Sequence, residues 1–155
     1  MIHGLIMGRF DPLHKGHIDL IEYGASKCDK LNVLLCSCDK DSINGPIRMN
    51  WLIETFRTNK KINPILLEYI FAPSNMPKEE MIKEWSINIR KLSPTNDILF
   101  SGELYGNILS INLNCKHCLY DPLRSKYNIS GTQIRENPQK YFNLIADSAK
   151  PYYKL

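Results

Sequence analysis

Short apolar runs alternate with helical stripes along the whole chain, and no other feature constrains its fold as much. Within the strand-like run of residues 2–7, Leu5-Ile6-Met7 ends at Gly8, as a buried strand does. Ile18, Ile21, Ala25 and Cys28 then recur at helical spacing, and residues 31–36 read as a second strand. Met49, Leu52, Ile53 and Phe56 form a helical stripe that starts just beyond Pro46. Residues 65–71 predict a third strand, and Ile82, Trp85, Ile89 and Leu92 a third helix. Residues 97–100 and, more faintly, 118–120 predict two more strands ahead of a helical stretch at 141–146. Strand–helix alternation of this kind predicts an α/β fold. The expectation is a Rossmann-like, doubly wound parallel five-stranded sheet with helices on both faces, in one domain over residues 1–155. Ligands of such sheets bind beyond the carboxyl ends of the strands. Residues 73–77 form the clearest surface loop, and no repeat or low-complexity tract interrupts the pattern.

At 155 residues and 43% hydrophobic, such a chain needs neither a disulfide nor a metal to hold its core. A net charge of +4 suits small anionic ligands and is too weak and dispersed for nucleic acid. Five cysteines, an odd number set partly in apolar runs, read as reduced thiols of a cytoplasmic protein. The N-terminus carries no charged leader, and no run reaches the length of a membrane span. Cys36-Ser37-Cys38 and Cys115-Lys116-His117-Cys118 lack the repeated spacing of a structural zinc site. No metal held by protein side chains is expected. The charges of Lys78, Glu79, Glu80, Lys83 and Glu84 read as a solvated helix face.

Two segments carry chemistry. The first, Gly8-Arg9-Phe10-Asp11-Pro12-Leu13-His14-Lys15-Gly16-His17, falls where the first strand turns into the first helix. Gly8 lets the backbone turn close to a ligand. His14 and His17, three residues apart, share one face of the first helical turn. A helix N-terminus favours phosphate, two imidazoles beside it add donors, and Arg9 and Lys15 add charge. The second is Ile129-Ser130-Gly131-Thr132-Gln133-Ile134-Arg135-Glu136-Asn137-Pro138. Ser130 and Gln133 have capping-box spacing, so a helix starts here, and Asn137 before Pro138 makes it brief. Neither a Walker-type loop nor a GxGxxG fingerprint is present, which argues against kinases and dehydrogenases.

The first segment resembles the nucleotidylyltransferase signature, its HxGH element being His14-Lys15-Gly16-His17. The second fits the ISxTxxR element of the same superfamily, from Ile129 to Arg135. Asp121-Pro122-Leu123-Arg124, Arg48-Met49-Asn50-Trp51-Leu52 and Trp85-Ser86 are similar to segments of the NadR-type adenylyltransferase domain. Proteins of that type often continue into a P-loop kinase domain, and some begin with a DNA-binding one. Neither is found here, so adenylyltransferase activity alone is expected of these residues.

The resemblance implies transfer of AMP from ATP to nicotinamide mononucleotide (NMN), giving NAD and pyrophosphate, with Mg²⁺ accompanying ATP. It implies His14, His17 and Arg135 as the catalytic set. Gly8, Arg9, Phe10, Ser101, Gly102, Glu103, Ile129, Ser130 and Thr132 would complete the ATP site. Trp85 would stack on the nicotinamide ring, although it also lies on the apolar stripe of Ile82 and Ile89; Trp51 reads as packing. Asp39, Arg48 and Arg124 would meet a nucleotide, with the choice between mononucleotide and triphosphate open.

The nucleophile is a phosphate, already anionic, so the absence of a general-base signature is consistent with this chemistry. Nicotinate mononucleotide, phosphopantetheine or cytidylyl transfer is the alternative within enzymes, and a silent NAD-sensing module the alternative outside them. The sequence leaves homo-oligomerisation open.

Overall fold

A computed structural model describes residues 1–69 and 76–154. Five strands form one all-parallel sheet: β1 (His3–Gly8), β2 (Lys30–Cys38), β3 (Ile62–Tyr69), β4 (Ile98–Ser101) and β5 (Lys116–Leu119). Their order is β3-β2-β1-β4-β5, so the chain winds outward from β1 in one direction and then in the other. The crevice where winding reverses, between the carboxyl ends of β1 and β4, is where such a sheet opens to a ligand.

Alternation along each strand supplies two cores. Ile6, Val33, Leu35 and Phe100 face helices α1 (Lys15–Ser26) and α2 (Gly45–Phe56), with Ile21, Ala25, Trp51 and Leu52 packed on them. Leu5, Leu34, Cys36 and Leu99 face the other side. There they meet Ile82 and Ile89 of α3 (Lys78–Leu92) and Leu109 of α4 (Gly106–Asn112). Burial on both faces explains the near-continuous apolar strands. The helix α5 (Gly131–Glu136) and a short α6 (Lys150–Tyr153) follow β5. No described helix is long and apolar enough to cross a membrane.

The doubly wound expectation holds, with three adjustments. The third strand runs over Ile62–Tyr69; residues 70 and 71, and 73–75 of the expected loop, lie outside the described residues. The helix expected at 141–146 is only a 3-10 turn, Phe142–Leu144. Its continuation bonds elsewhere: Ile145 bridges to His14, and the Ala146 N–H donates to the Leu13 carbonyl at 3.0 Å. This tail thereby braces the loop that delivers His14. Helix α4 leaves no stripe in the sequence, because Ile108 and Ile111 face outward.

Candidate active site

The loop after β1 owes its shape to an unusual backbone. Phe10 lies in the left-handed region at φ 49°, a conformation that costs a non-glycine residue about 1 kcal/mol. It directs the Phe10 ring back over Gly8, where a Cβ would approach ring carbons to 3.1 Å. A side chain at Gly8 would press on the Phe10 ring, and the φ of Gly8 is itself not positive. The buried Phe10 ring then meets His17 edge-on, with centroids 5.0 Å apart.

His14 is the N-cap of α1 and His17 its third residue, and together they make a capping box from imidazoles. Nδ1 of His14 accepts from the N–H groups of Gly16 and His17, at 3.1 and 3.4 Å. Nδ1 of His17 accepts from the His14 N–H at 3.2 Å. Each neutral ring therefore carries its proton on Nε2, the donor it offers to the cleft. The rings stack with centroids 3.5 Å apart. Burial, then the Arg124 charge, pushes His14 down to about 3. Burial, His14 and Arg124 hold His17 well below the usual histidine range. The pair stays neutral at physiological pH while still donating.

That shift has a consequence for folding. Below pH 6.5 the unfolded chain binds a proton on His14 that the folded chain refuses, so stability present above pH 6.5 is lost as pH falls towards 3. Each pH unit costs about 1.4 kcal/mol per such group, or about 2 kcal/mol from His14 by pH 5. His14→Asn retains a capping side chain, so its melting temperature should fall less than that of the native protein between pH 7 and 5. An equal fall in both proteins would remove His14 as the cause.

Opposite α1 stands α5. Ser130 caps it, accepting from the Gln133 N–H at 3.2 Å while Gln133 accepts from the Ser130 N–H at 2.9 Å. Gly131 lets this terminus close on the β1 loop: a Cβ there would lie 2.7 Å from the Asp11 carbonyl oxygen. Across that contact Arg135 donates to the same oxygen at 2.5 Å and to Thr132 Oγ1 at 3.2 Å.

His14, His17, Ser130, Thr132 and Arg135 line one cleft of about 390 Å³, with Gly8, Arg9, Phe10, Ser101, Gly102, Glu103 and Ile129 also on its wall. Arg124 joins them, donating to the Ile129 carbonyl at 2.6 Å and paired with Glu103 at 3.5 Å. Ser101 is nearly buried, with its hydroxyl 2.7 Å from His117 Nε2 and 3.0 Å from the Glu103 carbonyl. It shapes the loop. A second cavity, about 270 Å³ and lined by Trp85, Met81, Ile82 and Leu67, shares Met7, Gly8, Arg9 and Tyr105 with the cleft.

Two expected residues lie elsewhere. Arg48 is wholly buried, and all its donors are used, so it has none to offer a nucleotide. Nε bonds Ile43 O; Nη1 bonds Arg9 O and Cys36 O; Nη2 bonds Ser37 Oγ and Asp41 Oδ2. Asp39 is exposed and lines a separate depression with Ser37 and Asn44. Asp41, which bonds Arg9, borders that same depression, and the sequence marks it only as an acid two residues beyond Asp39. Asp11, Asp19 and Tyr120 also line the cleft, with Tyr120 donating to Asp19 at 2.8 Å. Trp51 is buried in the core, as its stripe predicts.

The reversal point of the parallel sheet thus holds two capped helix termini and a pair of neutral imidazole donors. Residues 5–137 match the cytidylyltransferase-like family, and the chain belongs to it. It is 32% identical over 168 residues to the trifunctional NAD biosynthesis/regulator protein NadR of Escherichia coli (strain K12), covering 97% of this chain and 40% of that protein. To nicotinamide-nucleotide adenylyltransferase of Pyrococcus abyssi it is 26% identical, covering 99% of this chain and 83% of the relative. A crystal structure of NadR protein in complex with NR superposes with TM-score 0.75 at 25% identity, over 94% of this chain and 43% of that one. The chain thus spans about two-fifths of the NadR relatives it matches.

Proposed function

We propose that this chain transfers AMP from ATP to NMN, forming NAD and pyrophosphate. The observation that carries the proposal is the pairing of a polar cleft, walled by His14, His17, Ser130, Thr132 and Arg135, with an apolar cavity that contains Trp85 and opens beside Gly8 and Arg9. A triphosphate suits the first and a flat, electron-poor ring the second.

In this reading an oxygen of the mononucleotide 5′-phosphate bonds to the α-phosphorus as the α–β bridging bond breaks, and pyrophosphate leaves with the electron pair. The nucleophile needs no base, so rate comes from alignment and charge neutralisation. Nε2–H of His14 and His17 donate to α- and β-phosphate oxygens. Arg135, Thr132 and Ser130 hold the departing pyrophosphate, with Arg124 and Arg9 adding charge. Among the described residues no three His, Cys, Asp or Glu side chains gather as a metal cage. The chain fits Mg²⁺ as a companion of ATP, which would neutralise its outer phosphates.

Incubation with Mg²⁺, ATP or CTP, and each acceptor (NMN, nicotinate mononucleotide, phosphopantetheine) tests the proposal by product mass. NAD from ATP and NMN is the expected product; a product from any other pair alone would replace this reading. Trp85→Ala should raise the KM for NMN about fivefold, the equivalent of about 1 kcal/mol of stacking, with kcat little changed. An unchanged KM would return Trp85 to the core.

A further inference from the structure

Among the described residues Arg9 is the one charged residue that borders both cavities, and its side chain is 58% exposed. A long side chain so placed has many rotamers, and the cost of fixing one is set by what holds it. One holder is Asp41, whose Oδ1 is ion-paired with Arg9 Nη2. The Asp41 carboxylate is itself fully buried and immobilised from behind. Its Oδ2 accepts from Arg48 Nη2 at 2.7 Å and from the Cys38 N–H at 2.9 Å. Arg48 also donates to the Arg9 carbonyl at 2.6 Å, so one buried guanidinium fixes both the backbone of Arg9 and the partner of its side chain. Two arginines on one carboxylate leave a net positive charge, displayed by Arg9 alone.

We infer that Asp41, backed by Arg48, is a positioning residue that aims the Arg9 guanidinium at the junction where the two phosphates of the proposed reaction meet. The inference rests on the proposed function for its kinetic readout. Asp41→Asn keeps the shape and the contact with Arg48 but loosens Arg9. Charge alone predicts tighter ATP binding in this variant, because a negative charge has gone. Positioning predicts the opposite.

The test compares the native protein, Asp41→Asn, Arg9→Ala and the double variant, by kcat for NAD formation and by calorimetric Kd for ATP. Expected are a tenfold lower kcat and a weaker, never tighter, ATP complex in Asp41→Asn. The double variant should match Arg9→Ala within twofold. Losses that multiply in the double variant, or an Asp41→Asn protein with native kcat, would overturn the inference. If the native protein makes no NAD, the proposed function fails, and the four Kd values still decide the positioning role by the same comparison. Should Asp41→Asn fail to fold, Asp41→Glu keeps the charge for Arg48 and displaces Arg9. The same loss, absent once Arg9 is alanine, is then expected.

Discussion

Alanine at His17 is expected to lower kcat for NAD formation about a hundredfold while the protein stays folded. The magnitude follows from the ring's geometry. Its Nδ1 is committed to the His14 N–H, so Nε2–H is a fixed donor that would need no reorganisation as charge builds on the phosphates of the proposed reaction. Removing one such preorganised donor costs about 3 kcal/mol in the transition state and far less in the ground state. The KM for ATP should therefore move little. The fold survives because the side chain belongs to a helix cap rather than the core, and losing a cap costs about 1 kcal/mol. His17→Gln separates the two roles. Glutamine is a natural third residue of a capping box, so it should restore thermal stability and recover only a fraction of the rate. Full recovery of rate by glutamine would reduce His17 to a structural cap.

The same helix terminus shows what could be read from sequence and what could not. The Ser130–Gln133 cap was legible because its relation is local: that spacing marks a helix start whatever surrounds it. For His14 and His17 the sequence offered a shared helical face, and the structure adds an imidazole capping box. The sheet was legible for a related reason, since both-face burial writes itself into each strand separately. What escaped depends on partners brought together by the fold. Arg48 meets Arg9 across 39 positions and Ser37 across 11, and only that convergence turns a candidate phosphate ligand into a buried clamp. Asp41 and Asp39 are indistinguishable as letters; the turn after β2 buries one and exposes the other. His117, read as a rejected zinc ligand, instead lies between Ser101 and the Asn107 side chain, 2.7 and 2.6 Å away.

Arg135→Ala should lower kcat/KM for ATP about a hundredfold, and the reverse reaction should show why. Arg135 belongs to the α5 terminus, where it donates to Thr132 and to the Asp11 carbonyl and so ties the ISxTxxR element to the HxGH loop. Its remaining donors are the guanidinium capacity available to an outgoing pyrophosphate, and two parallel bonds to one anion are roughly twice as strong as neutral ones. With NAD and pyrophosphate as substrates, the alanine variant should therefore need far more pyrophosphate, while its KM for NAD changes little. Lysine keeps the charge but not the fork, so Arg135→Lys should recover no more than about tenfold of the loss. If lysine restored the native rate, charge alone would suffice and the bond to Asp11 would be incidental. If alanine raised the NAD requirement instead, Arg135 would hold the nucleotide and not the leaving group. A selective pyrophosphate defect is the outcome the proposed reaction requires of an arginine anchored on one side by the β1 loop.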